Sequence, residues 1–501
     1  MARLDGSNRV VELAPGYRIA APGVRGTATA LAGAPAGTRG PEVEPATEAF
    51  ADALRDTDMA EVQLVVVDVS AAEAPRAGEG LRTPAGDDGL LLEVPDLGAE
   101  VGQVVLAVDE DGAMSWHFPL DARDTVAAPG LRGAGRTRRF LIRRSTPIVD
   151  GSVGDGRRGL VGLVGRKLLK VLVYPVADAV LGPVGERFAA AWEGKHRPYG
   201  LRLFEPATYR QPRGGLLGAG GPGRLPEGGR TLVFLHGTFS TSHGAFHGLP
   251  LDTLGELNRR YAGRVVAFDH PSMSVDPQAN AIELARRLPE ATTSVVDVVA
   301  HSRGGLVARA LAGEGGGPPG GIRVDKAVLV GCPYQGTPLA DPDHIVDFLD
   351  RMTTLLNLVP PGPASVVTET LEGVITAVKV VGHATLGGLP GIAAMDPGGA
   401  FLAGLEAREL RSTYFAVASD YEPTGGLRSL ARRAGDLLVD RVFSGAANDL
   451  VVPALGFGDE ALRGPIPRER LLLFDPAAAI DHSGYFRQPA VAARLVEWLS
   501  P

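Results

Sequence analysis

The sequence predicts an α/β fold for residues 201–501, in which helices flank a mostly parallel sheet. Three short apolar runs lead to this prediction, because continuous apolar residues are typical of strands buried on both faces of a parallel sheet. These runs are Thr231–Leu235, residues 295–300 and Lys326–Val330. A plausible helix over residues 306–311 follows the second run, as expected where strands and helices alternate.

The chain before these runs has a different pattern and predicts a small β-rich domain over residues 1–155. Loops containing glycine and proline separate short strand candidates there, which favours a β-sandwich. The candidates are Val62–Val67, Leu90–Val94, a hairpin formed by Val104–Val108 and Met114–Phe118, and Phe140–Ile142. These residues carry no catalytic signature. Their role is either to bind a substrate or partner, or to pack against the second domain.

Residues 156–200 are predicted to be a basic amphipathic segment that connects the two domains. From Arg132 to Lys170, arginine and lysine far outnumber acidic residues. At helical spacing the segment has an apolar face, formed by Val161, Val164, Leu168 and Leu172, while Arg166, Lys167 and Lys170 lie largely off it. We favour a helix packed between the domains with its basic side in water. The alternative is a helix resting peripherally on an anionic membrane.

Composition restricts the classes of function. The chain has 501 residues, 45% of them apolar, which is enough for a substantial core and excludes a wholly disordered protein. A net charge of −8 argues against binding of nucleic acid. The single cysteine, Cys332, cannot form an internal disulfide, and the first residues lack the basic-then-apolar plan of a signal peptide. We therefore expect a cytoplasmic protein.

The segment from residue 295 to 305 carries the clearest chemical signal. Its valine-rich run ends abruptly at Ala-His-Ser-Arg-Gly-Gly, residues 300–305. Ala300, Gly304 and Gly305 leave little bulk around Ser302, as a sharp turn from strand to helix requires. Such a turn lifts the serine hydroxyl off the end of the sheet, at the positive end of the following helix. Ser302 is therefore the candidate nucleophile.

A nucleophilic serine needs a base and an orienting acid, and the sequence offers one histidine in a suitable place. His482 lies between the strand-like run at 471–475 and a helical pattern at 489–499, so its loop can reach over the sheet edge. In this type of fold the acid precedes the histidine in the chain. Asp449, in a turn before a short apolar segment, fits best, and Asp420 and Asp440 are its rivals.

A site for the oxyanion of a tetrahedral intermediate follows the first apolar run, which opens into His236, Gly237 and Thr238. Glycine lets the backbone turn so that the amide of Thr238 points into the site. This amide and the amide of Arg303 are the candidate donors to the oxyanion. Their side chains would then be free to influence substrate preference. His236 itself is expected to brace the loop.

Taken together, these segments resemble an α/β-hydrolase of the lipase/esterase kind, and they occur in that family's order over residues 230–500. The matching pieces are Leu-His-Gly-Thr at 235–238, Ala-His-Ser-Arg-Gly-Gly at 300–305, Gly-Cys-Pro-Tyr-Gln-Gly-Thr-Pro-Leu-Ala at 331–340, Asn-Asp-Leu-Val-Val-Pro at 448–453 and His-Ser-Gly-Tyr-Phe at 482–486. The Gly-Thr-Pro-Leu-Ala part is similar to bacterial lipases and to GPI-inositol-deacylase-like proteins. Two departures are Ala300, where glycine is commoner, and Arg303, where many members carry Met or Gln.

The resemblance implies a serine hydrolase that cleaves carboxylic esters, with lipid or other acyl esters as substrates and no cofactor or metal. A thioesterase or an acyltransferase with the same triad is the first alternative, and a catalytically silent binding protein is the second. The resemblance also implies a helical lid at about residues 341–400, where an apolar insertion is broken by prolines. An ordinary packed helical excursion is the alternative there. His243 and His247 have the spacing of a metal pair but lack a third ligand, so no metal site is expected.

Overall fold

The computed structural model describes most of the chain. The described residues are 1–32, 46–72, 89–110, 112–120, 137–143, 165–176, 184–212, 214–217, 225–226, 228–288, 295–313, 321–358, 362–383, 389–405, 412–421, 447–454 and 466–500. They divide into two compact units. The described residues of the first unit fall within Met1–Leu181 and Leu349–Val359. Those of the second fall within 182–348, 360–424 and 442–501.

Antiparallel sheets form the first unit, as the β-rich pattern predicts. Its elements are β1 (Ala2–Asp5), β2 (Val10–Ala14), β3 (Tyr17–Ala20), β4 (Val24–Ala32), α1 (Ala46–Asp56), β5 (Ala60–Ala72), β6 (Gly89–Pro95), β7 (Val101–Asp109), β8 (Met114–His117), β9 (Thr137–Arg143) and β10 (Gly165–Pro175). One sheet has the order β1-β4-β5-β10-β7-β8 and the other the order β2-β3-β6-β9. Both sheets contribute to one apolar core, including Val65, Leu92, Phe140 and Leu169, which is the arrangement of a sandwich.

The predicted amphipathic connecting helix is wrong over the residues that the structure describes, because Gly165–Pro175 forms strand β10. This strand pairs with both β5 and β7, so the β-rich domain continues beyond residue 155. Lys167, Leu169 and Val171 are buried in turn, which is the period of two of a strand. Apolar residues follow each other so closely here that the helical spacing was a coincidence. Val161 and Val164 lie outside the described residues.

The basic side chains of β10 are paired with acids of neighbouring strands. Arg166 bonds Asp68 at 2.9 Å, Lys167 bonds Asp109 at 2.7 Å and Lys170 bonds Glu61 at 3.2 Å. The helix on which the membrane interpretation depended is therefore absent from residues 165–175. Within the described parts of the chain, no helix has the length and apolar character needed to cross a bilayer.

We expect Leu169→Ala to lower the free energy of unfolding by about 2–5 kcal/mol, because it leaves a cavity in the sandwich core. The neighbouring Leu168→Ala removes the same atoms from a half-buried position and should cost no more than about 1 kcal/mol. Chemical denaturation followed by circular dichroism measures both. Equal losses at the two positions would contradict the assigned strand.

The second unit is built on a seven-stranded sheet flanked by helices. Its elements are α2 (Val184–His196), β11 (Gly200–Leu203), β12 (Thr231–Leu235), α3 (Ser242–Ala245), α4 (Leu251–Arg260), β13 (Val265–Asp269), α5 (Pro277–Arg287), β14 (Val295–His301), α6 (Gly304–Leu311), β15 (Arg323–Val330), α7 (Ile345–Leu358), α8 (Ala364–His383), α9 (Pro390–Ala393), α10 (Ala400–Leu405), β16 (Thr413–Ser419), β17 (Leu471–Phe474) and α11 (Pro489–Trp498). From Leu349 onward, α7 is counted with the first unit.

The sheet has the order β11-β13-β12-β14-β15-β16-β17, and among its described strands only β11 runs antiparallel to its neighbour. Apolar side chains are buried on both of its faces, in two separate clusters. Successive side chains of β12 and β14 enter the two clusters in turn. Both faces of these strands therefore need apolar residues, and their sequences do not alternate between apolar and polar residues. The α/β-hydrolase fold predicted for this part of the chain is confirmed.

The insertion between β15 and β16 is helical, as predicted, and comprises α7 to α10. Within the first unit, Trp116 of β8 fixes the middle of α7. Its backbone amide donates to Asp350 Oδ1 at 2.6 Å, and its indole N–H donates to Thr353 Oγ1 at 2.9 Å. The buried Trp116 indole thus finds the partner that a polar group removed from water requires.

Candidate active site

The turn after β14 presents Ser302 in the conformation that the sequence predicts. Ser302 has φ +54°, in the left-handed region, and its amide donates to the carbonyl of Val330 at 3.0 Å. Glycine is required at the second and third positions after Ser302. A Cβ on Gly304 would overlap the carbonyl oxygen of Leu235, and one on Gly305 would lie 2.5 Å from Cys332 Sγ. Close packing of α6 against the sheet therefore depends on these glycines.

Asp449 and His482 form a buried pair. His482 Nδ1 lies 2.8 Å from Asp449 Oδ2, which also accepts from the Tyr485 hydroxyl at 2.8 Å. Oδ1 accepts from the amides of Val451 and Val452. Burial alone would raise the pKa of Asp449, but the charge of His482 and the bonds from His482, Val452 and Tyr485 lower it below its ordinary value. Because an ionised carboxylate only accepts, Nδ1 of His482 carries the proton and Nε2 is left for another partner.

Ser302 is connected to this pair through its neighbours in the sheet. The ring of His301 lies 5.0 Å from that of His482, and His301 Nε2 is 3.0 Å from the His482 carbonyl oxygen. Gly331 follows the residue that accepts the Ser302 amide, and a Cβ there would lie 3.1 Å from Asp449 Oδ2. These contacts bring the three predicted residues to one edge of the sheet. Among the described residues, no hydrogen bond joins Ser302 Oγ to His482.

The structure describes one of the two rival acids. Asp420 follows β16, and its amide donates to the carbonyl of Phe474 at 3.0 Å. Asp440 lies outside the described residues. Asp449 is the carboxylate that His482 contacts.

The predicted oxyanion loop follows β12 and contains Phe239 at φ +61°. Gly237 lies directly against the nucleophile, since a Cβ there would be 2.5 Å from Ser302 Cβ. Within the described parts of the chain, neither the Thr238 amide nor the Arg303 amide donates to another residue. An oxyanion binds to amides that have no acceptor of their own, so these two amides remain the candidates.

The Arg303 side chain is not free to influence substrate preference, as the sequence had suggested, because it is buried. Its Nε donates to the carbonyl of Gly391 at 2.7 Å, and its Nη2 donates to the carbonyl of Val275. Burial lowers the pKa of Arg303 to about 10, so the guanidinium remains charged at neutral pH. It anchors α9 of the insertion to the loop after β13. Only backbone geometry could have revealed this role.

Three histidines near the turn stay neutral; His236 and His270 are buried, and His301 is partly buried. His236 and His270 stack at 4.1 Å, and His236 Nε2 accepts from the amide of His270, so His236 braces its loop as expected. Burial lowers the pKa of His236 to about 4 and, with the charge of His482, that of His301 to about 3. Burial also brings the pKa of His270 well below its usual value.

The sheet order and the turn at Ser302 are those of the α/β-hydrolase fold. Residues 196–500 match the family described as Domain of unknown function (DUF7379), and the chain belongs to that family. No curated protein matched the chain.

Several solved structures are similar to the second half of the chain. Carboxylesterase CesB from Bacillus subtilis is 12% identical, covering 55% of this chain and 85% of its own, with a TM-score of 0.30. Aspergillus fumigatus lipase B is 15% identical over 56% of each chain, with a TM-score of 0.30. A putative aryl esterase from Burkholderia cenocepacia is 14% identical, covering 55% of this chain and 92% of its own, with a TM-score of 0.28.

The neutral histidines predict loss of stability in acid. The unfolded chain binds protons below about pH 6.5, whereas folded His236 and His301 do so only near 4 and 3. The contribution of these two histidines to the free energy of unfolding is thus fully present above pH 6.5. As pH falls below that value, the free energy of unfolding decreases by about 1.4 kcal/mol per pH unit for each histidine. Denaturant unfolding between pH 7.5 and 5 should show this slope, and His301→Gln should reduce it. His344→Gln, at a partly exposed ring, is the control, and an unchanged slope in His301→Gln would refute the account.

Proposed function

We propose that this protein is a serine hydrolase that cleaves carboxylic esters through Ser302, His482 and Asp449. The observation that most favours this function is the buried Asp449–His482 pair, which lies at the sheet edge where Ser302 sits in its left-handed turn. Such a pair leaves His482 Nε2 as the base for a serine hydroxyl. A binding protein would have no need of an ionised buried carboxylate that orients a histidine.

The proposed reaction follows the chemistry of these groups. His482 takes the proton of Ser302 as Oγ attacks the ester carbonyl, and the amides of Thr238 and Arg303 stabilise the oxyanion. His482 then donates the proton to the departing alcohol, leaving an acyl group on Ser302. Water, deprotonated by His482, attacks this acyl group, and the carboxylic acid leaves with Ser302 restored. Asp449 keeps the imidazole in the required tautomer throughout.

Lipid or other acyl esters are the substrates that the surroundings of the oxyanion loop favour. Phe239 stacks on Phe348 of α7 at 5.7 Å. Gly373 of α8 lies against Phe239, since a Cβ there would be 3.1 Å from Phe239 Cβ. His243 bonds Glu369 of α8 at 3.0 Å. An apolar helical cover of this kind suits an acyl chain and excludes water, so we propose that the insertion is a lid.

Ser302→Ala tests the nucleophile. We expect kcat/KM for a p-nitrophenyl ester to fall on the order of 10³-fold or more, because removing the nucleophile disables the three residues as a unit. A thermal melt serves as the folding control. Wild-type turnover in a folded Ser302→Ala protein would refute the proposed function. Parallel assays with thioesters and with alcohol acceptors distinguish an esterase from a thioesterase or an acyltransferase.

Asp449→Asn tests the acid against its rival Asp420. The amide can donate to Nδ1 and select the wrong tautomer of His482, so kcat should fall by about 10³-fold or more. Asp420→Asn is the matched control and should keep most of the activity. A larger loss in Asp420→Asn than in Asp449→Asn would mean that the acid has been misassigned.

A further inference from the structure

The loop after β13 is organised by a buried carboxylate outside the proposed triad. Glu193 of α2 is 1% exposed, and its Oε1 accepts from the amides of Ser272 at 2.6 Å and Met273 at 2.9 Å. Its Oε2 accepts from the amide of Ser274 at 2.8 Å and from the Ser274 hydroxyl at 2.6 Å. Three consecutive amides and two hydroxyls, the second being that of Ser272, therefore satisfy one charge, and this fixes the loop.

This loop holds the oxyanion loop through the hydroxyl of Ser272. Ser272 Oγ accepts from the amide of Phe239 at 3.1 Å, and its own proton points to Glu193 Oε1 at 3.4 Å. Fixing the Phe239 amide fixes the peptide that follows Thr238, and with it the backbone rotation at Thr238. The Thr238 amide is the first proposed oxyanion donor, so its direction depends on this hydrogen bond.

The same loop also holds the residue that provides the second donor. The guanidinium of Arg303 donates to the carbonyl of Val275 and to that of Gly391. The amide of Gly391 in turn donates to the carbonyl of Met273 at 2.8 Å, and a side chain at Gly391 would overlap the carbonyl of Ser272. Residues 272–275 therefore connect the two segments whose amides form the proposed oxyanion hole.

We propose that Ser272, held in place by Glu193, is a positioning residue that sets the geometry of the oxyanion hole. This inference depends on the proposed function. Ser272→Ala leaves the buried Phe239 amide without its acceptor and loosens the backbone at Thr238. Because binding of the oxyanion matters in the transition state and little in the ground state, kcat should fall while KM changes little.

Ser274 provides a matched control in the same loop. Its hydroxyl makes the shorter bond to Glu193, 2.6 Å against 3.4 Å for Ser272, but Phe239 bonds the hydroxyl of Ser272. If the serines only stabilise the loop, Ser274→Ala should lower kcat and the melting temperature at least as much as Ser272→Ala. If Ser272 positions the oxyanion hole, the two variants should differ in kcat and not in stability.

The experiment compares kcat, KM and melting temperature of the full-length wild type and both variants with a p-nitrophenyl ester. The inhibition constant of a trifluoromethyl ketone, which forms a tetrahedral adduct on a serine, is measured beside them. Ser272→Ala should lower kcat by about tenfold to a hundredfold and raise the inhibition constant of the ketone by a similar factor. KM should stay within about threefold of the wild-type value. Ser274→Ala should keep kcat and ketone affinity within about threefold of wild type. If Ser272→Ala does not fold, Ser272→Cys keeps the volume and replaces the oxygen with a weak acceptor.

Equal kcat in the two variants, or wild-type ketone affinity in Ser272→Ala, would overturn the positioning role and leave the proposed function intact. A folded wild type without turnover or ketone inhibition would overturn the proposed function and this inference with it.

Discussion

The left-handed backbone at Ser302 is the constraint on which the rest of the site depends. A residue with a side chain adopts this conformation at a cost of about 1–2 kcal/mol, so the surroundings must hold it there. Strands β12 and β15 lie on either side of β14, and the amide of Ser302 donates a hydrogen bond to the carbonyl of Val330. Gly304 and Gly305 let α6 approach the sheet, and the turn stays tight because nothing bulky fits between them.

Each buried carboxylate near this turn accepts hydrogen bonds from several donors. These bonds offset the cost of burying the charge and fix the positions of the donors. Asp449 accepts from two amides, a histidine and a tyrosine, and Glu193 accepts from three amides and two hydroxyls. An isolated carboxylate in such a place would cost several kcal/mol. The donors come from segments that border the site, so these two carboxylates fix the positions of those segments.

The elements that could be predicted from sequence are those that a short stretch of neighbouring residues determines. Strands β12, β14 and β15 are buried on both faces and therefore need apolar residues throughout. The tight turn at Ser302 needs small residues around it. Few other residues meet either requirement. Asp449 and His482 could be proposed because chain order restricts the choice of acid and base. Strand β10 was missed because its apolar and basic residues fit a helical spacing as well as an alternating one. Its pairing with β5 and β7 decided between the two.

The side chain of Arg303 and the carboxylate of Glu193 could not be assigned from sequence for a related reason. Their partners are mainly backbone groups of distant segments. Because nearly every residue has the same backbone amide and carbonyl, the sequence does not indicate which of these groups bind. Glu193 contacts residues about 80 positions further along the chain, and Arg303 reaches Gly391. Such contacts appear only once the sheet has brought these loops together.

Reaction with a fluorophosphonate, followed by peptide mapping of the adduct, tests most directly whether Ser302 is an activated nucleophile. The account predicts a single adduct on Ser302 that forms rapidly in the wild type and is nearly lost in His482→Ala, since His482 supplies the base. An adduct on another serine, an unmodified folded protein, or equal labelling of wild type and His482→Ala would contradict it.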